Sequence, residues 1–99
     1  RRVLFRSSPI MNEFVKEVGD WHRSVFPRAT ATDISRKVLD EATELVCAVE
    51  VEHQREETAD VVLTAFAKAG REGWDLEAYL RNKFEINKQR AIDGRWENG

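Results

Sequence analysis

Apolar residues along this chain recur at intervals of three and four, and nowhere do they alternate long enough to mark a strand. Met11, Phe14, Val15, Val18 and Trp21 or His22 form the first series, predicting a helix over 10–25. Ser8 before Pro9 supplies a cap and a first-turn proline, and Pro27 ends the helix. After the linker PRATAT, Thr30 or Thr32 is a cap with Asp33 in the first turn, and a second helix is predicted over 33–49. Ile34, Val38, Leu45 and Val49 form its stripe, with Leu39 and Val46 beside it. A third helix over 54–71 carries Val61, Val62, Leu63, Phe66 and Ala69, with Gly70 and Gly73 marking its end. Asp75 caps a fourth over 76–90, with Leu76, Tyr79, Leu80, Phe84 and Ile86 apolar, and the tail AIDGRWENG reads as irregular. The fold class is all-α. Four short helices cannot hide all these faces in one protomer, so a homo-oligomeric bundle is expected.

Composition narrows the picture. With 41% hydrophobic and 34% charged residues in 99, the chain reads as one folded domain rather than a disordered one. No apolar run approaches the ~20 residues that span a bilayer, and no secretory core lies near the start. The single cysteine, Cys47, sits in an apolar run and is expected to be a buried, reduced thiol, which points to the cytoplasm. A net charge of −2 supplies no basic face for nucleic acid. The opening RRVLFRSS resembles translated adapter sequence, so residues 1–8 are expected to be non-native and residues 9–99 the helical domain.

The charges carry more information than their sum. Glu41 and Glu44 are three apart, as are Glu57 and Asp60, so each pair shares a helix face. Both pairs are symmetric about a chain reversal at Glu50–Val51, which brings Glu44 level with Glu57 and Glu41 with Asp60. Antiparallel helices pack ~8–10 Å apart, close enough for carboxylates from both to share an ion. Glu41 also falls on the stripe of Val38 and Leu45. Four unpaired carboxylates would repel and raise one another's pKa values; a hard divalent cation such as Mg²⁺ or Mn²⁺ removes that cost. Acidic pairs at this spacing are common on solvated helix faces, and two pairs mirrored about one bend are the more specific signal. Asp40, Glu50, Glu52 and Glu56 read as solvated or supporting charges, and His53 as a loop residue. The string Glu50-Val51-Glu52-His53 matches the E-x-x-H of di-iron bundles but occurs once where two are needed. Near the C-terminus Lys83, Asn87 and Arg90 recur at i, i+4 and i+7, a helix face able to meet a polyphosphate or simply to complement the helix dipole.

Taken together these residues resemble the MazG-like family of all-α nucleoside triphosphate pyrophosphohydrolases. Its E-E-x-x-E, spacer, E-x-x-D signature is matched by Asp40-Glu41-Ala42-Thr43-Glu44 and Glu57-Thr58-Ala59-Asp60. Its K-x-x-x-N-x-x-R pattern is matched by Lys83, Asn87 and Arg90, and Trp21-His22 with Phe26-Pro27 is similar to a segment of short phage and bacterial members. The resemblance covers residues 10–96. It implies a four-helix bundle completed by dimerisation or tetramerisation, with Mg²⁺ (Mn²⁺ as substitute) held by Glu41, Glu44, Glu57 and Asp60 as the catalytic acids. Lys83, Asn87 and Arg90 would contact phosphates or sugar, and Trp21 would stack on the base with His22 nearby; core packing is the competing reading for Trp21. The implied reaction splits a nucleoside triphosphate between the α and β phosphates. Asp40 stands where the family has Glu, and Thr43 where a small Gly is common, which puts the water-positioning role of the first acid in doubt. The rival function is a non-catalytic helical oligomerisation or regulatory module whose acids are solvated.

Overall fold

A computed structural model describes residues 9–94, so the expectations for residues 1–8, for Ser8 as a cap and for the last five residues of the tail lie outside the described residues. The order is α1 (Pro9–Val25), α2 (Ala31–Cys47), α3 (Val51–Glu72) and α4 (Leu76–Ile92), with no strand among the described residues. The α2 start is set by Thr30. Its Oγ1 accepts from the Asp33 amide at 3.1 Å while Asp33 Oδ2 accepts from the Thr30 amide at 2.9 Å, a reciprocal capping box with aspartate in the third position. These hydrogen bonds from Thr30 hold the Asp33 carboxyl below its usual range. The reversal between α2 and α3 takes only Ala48, Val49 and Glu50, and Gln54 Nε2 donates to Val49 O at 2.9 Å, satisfying a carbonyl just past the end of α2. Gly73 ends α3 at φ 73°, a left-handed conformation suited to glycine, and Asp75 then caps α4 by accepting from the Ala78 amide at 3.2 Å. Ala91 and Ile92, read from the sequence as irregular, continue α4.

The central element is α3, packed against α1 on one side and α2 on the other. Val15, Ile34, Ala48, Ala67 and Ala69 are the buried apolar residues, and Phe14 and Phe66 meet edge-on with centroids 5.9 Å apart. Gly70 corrects the sequence reading. It does not terminate α3; it lies inside it, where α1 crosses so closely that a Cβ would meet Gly19 Cα at 2.8 Å. The next residue, Arg71, fastens the α1–α2 loop. Its guanidinium donates to Phe26 O at 2.9 Å and Ala29 O at 3.0 Å, and its Nη1 lies 3.1 Å from His22 Nδ1. Because arginine can only donate, His22 accepts through Nδ1 and carries its proton on Nε2. Burial, then the Arg71 charge, lowers the His22 pKa in keeping with that neutral ring. Arg71→Lys keeps the charge but not the planar fork. It is expected to cost about 1.5 kcal/mol, read as a melting temperature lower by about 8 °C.

Helix α4 meets α1 and has no extended packing on α2 or α3. Its anchor is polar: Asn12 Nδ2 donates to Asp75 Oδ1 at 2.9 Å, Asn12 Oδ1 accepts from the Glu77 amide at 3.4 Å, and the buried Glu77 accepts from Arg81 Nε at 2.8 Å. The radius of gyration, 15.8 Å, exceeds the ~13 Å usual for a chain of this length. Much apolar surface is left uncovered: Leu39 and Val46 on α2, and Tyr79, Leu80 and Phe84 on α4 are exposed. Of the predicted α2 stripe, Ile34 is buried and Val38 and Leu45 half-buried, while Val49 falls beyond the helix end and is 84% exposed. Cys47 is exposed, not buried as expected. It lies two residues past Leu45, about 200° around the helix, so the run of apolar residues there was not one face.

Candidate metal centre

The short α2–α3 reversal fixes which carboxylates meet. Glu41 comes from the middle of α2 and Glu57 from the second turn of α3, and each is only 8% exposed; Glu44, one turn after Glu41, is exposed. One oxygen from each of the three lies within 4.8 Å of the others. Glu57 is the most constrained. Its Oε1 stands 3.4 Å from His53 Nε2, while its Oε2 is buried with no hydrogen-bond partner. Burial raises the Glu57 pKa, and the charges of Glu44, Asp60 and Glu41 add to the rise against an opposing effect of His53. A buried carboxylate oxygen without a partner is costly, and a donor set made only of carboxylate oxygens suits Mg²⁺ or Mn²⁺.

Asp60 stands apart from this trio. It is exposed, and three residues along α3 leave it rotated by about 60° from Glu57. Its charge nevertheless reaches Glu57. Asp40 is also exposed and outside the trio, and the hydroxyl of Thr43 donates to Leu39 O at 2.9 Å, which ties it to the helix backbone.

Two site neighbours escaped the sequence reading. Lys37 Nζ lies 3.3 Å from Glu41 Oε1, and His53 makes its contact with Glu57 from inside α3, not from a loop, because α3 starts three residues earlier than predicted. The signal was present: both are i, i+4 partners, Lys37 before Glu41 and His53 before Glu57.

The remaining predicted residues are elsewhere. Lys83 and Arg90 are exposed on α4, and Asn87 is half-buried with an Oδ1 that finds no hydrogen-bond partner. Among the described residues no hydrogen bond or ion pair joins any of the three to the acids, and α4 lacks extended packing on the helices that carry them. Trp21 is 59% exposed on α1, so it is not core; its ring meets Phe26 edge-on at 6.4 Å, with His22 also 6.4 Å away. No helix among the described residues is long and apolar enough to cross a membrane. The chain matches no protein-family model, no curated protein and no solved structure.

Proposed function

We propose that this chain is a Mg²⁺-dependent nucleoside triphosphate pyrophosphohydrolase of the MazG-like kind, acting as a homodimer or homotetramer. The observation that carries the reading is the meeting of Glu41, Glu44 and Glu57 across the α2–α3 reversal, with one buried Glu57 oxygen unpartnered. The uncovered apolar faces of α2 and α4 support self-association. Bound to the trio, Mg²⁺ supplies Lewis-acid chemistry, acidifying water and offsetting phosphate charge. The chain's own groups do the rest. Glu41, Glu44 and Glu57 hold the ion with Asp60 as the fourth acid, and a carboxylate not fully engaged by the ion accepts a proton from the attacking water. That water adds to the α-phosphorus as the bond to the bridging oxygen breaks, so pyrophosphate leaves and a monophosphate remains. Lys83 and Arg90 offset the phosphate charge that builds, with Asn87 beside them on the same face of α4. Since α4 does not pack along α2 or α3 within one protomer, these contacts require assembly or a movement of α4. Trp21, with its ring exposed, serves as a stacking surface for the base.

The test is product analysis over a panel of ribo- and deoxynucleoside triphosphates with Mg²⁺ or Mn²⁺. Pyrophosphate is the expected product, and the nucleotide that yields it names the base. Orthophosphate alone would overturn the cleavage position. No product from any nucleotide would favour the oligomerisation-module reading instead.

A further inference from the structure

Lys37 has no role in the reaction just described, yet it is the cation in direct contact with the trio from the α2 side. Its ammonium sits 3.3 Å from Glu41 Oε1, one helical turn away, and more than half of its side chain remains in solvent. A lysine ammonium is cationic at neutral pH. The oxygen it touches belongs to one of the three carboxylates that converge within 4.8 Å. Glu57, opposite, keeps a buried oxygen with no partner, so the internal cation satisfies only one side of the cluster. An ammonium at this position compensates the acids when they are bare and opposes a divalent ion among them. It does so reversibly, because an exposed lysine four residues from a carboxylate is held weakly and swings into solvent at small cost.

We propose that Lys37 is an internal counter-ion that competes with the divalent cation for Glu41 and so sets the metal affinity of the site. This rests on the metal reading given above. Binding requires Lys37 to leave Glu41, and even after it leaves, its charge remains close enough to repel the ion. Removing the charge therefore tightens metal binding by about threefold to tenfold. Moving Lys37 aside makes no demand on the fold, since its partner pair lies along one helix and the side chain is largely solvated.

The experiment is an isothermal calorimetric titration of the full chain with MnCl₂ and MgCl₂ and no nucleotide present, reading the concentration at half-saturation. Lys37→Met is expected to lower that concentration by about threefold to tenfold. Lys37→Arg, which keeps the charge, is expected to stay within about twofold of wild type. Lys16→Met is the control, because Lys16 pairs with Asp20 at the same spacing on α1 and its loss changes net charge equally. A Lys37→Met protein with the wild-type midpoint overturns the inference and leaves the metal reading standing. The same shift in Lys16→Met overturns it too, as a mere effect of net charge. No saturable binding in wild type or any variant removes the metal reading and the inference together.

Discussion

Glu57→Gln is expected to abolish Mg²⁺-dependent release of pyrophosphate, with turnover lower by at least about a thousandfold, while the helices remain folded and the metal-free protein melts higher than wild type. The two effects have one cause. Glu57 is buried among Glu44, Asp60 and Glu41, and burial and those charges raise its pKa. A carboxyl whose folded pKa is raised binds its proton more tightly in the native state. Its contribution to stability is therefore fully present below the unfolded value, about 4.3, and is lost as pH rises through the raised folded value. At neutral pH the bare carboxylate burdens the fold, and an amide of the same shape relieves the burden. On the proposed metal reading, added Mg²⁺ is expected to reverse the order, by stabilising wild type through mass action more than a variant without the Glu57 carboxylate. The check is a pair of melts at pH 7, with and without Mg²⁺, beside the product assay. Wild-type turnover in Glu57→Gln would remove Glu57 from the metal set. A metal-free variant that melts lower than wild type would mean that His53, 3.4 Å from the carboxylate, outweighs the three acids.

That an acidic centre existed was legible because its cause is one-dimensional. Two carboxylates at i, i+3 on each side of a short reversal are brought towards one another, and the bend was visible from the mirror placement of the two pairs about residues 50–51. Membership was not fully legible. The mirror argument treats Asp60 and Glu41 as equivalent partners, but the oxygens that converge within 4.8 Å come from Glu41, Glu44 and Glu57, and neither exposure nor helix phase sets Asp60 apart from Glu44. A related limit explains Cys47, placed inside by its apolar neighbours although the helix turns 100° at each step, while Val49 leaves the α2 stripe because the helix ends at Cys47. Features that depend on a second element left weaker traces. Arg71 resembles any basic residue in a last turn, where it complements the helix dipole, yet its work is done on carbonyls more than forty positions upstream. The placement of α4 was least legible of all: Lys83, Asn87 and Arg90 fall among its apolar residues on the same side, so periodicity names no partner for it.

Gly70→Ala is expected to destabilise the protein by about 3 kcal/mol, although the same change at a solvated helix position would stabilise it by about 1 kcal/mol through helix propensity. The sign is decided by what a methyl group would meet. At Gly70 a Cβ runs into the Val15 carbonyl oxygen and lies 2.8 Å from Gly19 Cα and 2.9 Å from Gly19 N; at Gly19 it would lie 2.6 Å from Gly70 Cα and 2.7 Å from the Arg71 amide nitrogen. All of these are backbone atoms in helices. None can swing away as the end of a flexible side chain could, so α1 and α3 must separate along the contact that buries Val15 and Ala69. For a domain of this size the loss reads as a melting temperature lower by about 15 °C. Gly19→Ala is expected to behave alike, and the double variant to fall well short of the sum, because one separation of the helices makes room for both methyls. The α2–α3 reversal lies at the other end of α3 and does not use this crossing, so the acidic trio is expected to persist in whatever fraction stays folded. Unchanged or raised melting temperatures in both single variants would mean that α1 does not cross α3 glycine on glycine; additive losses would mean that the two positions do not share a contact.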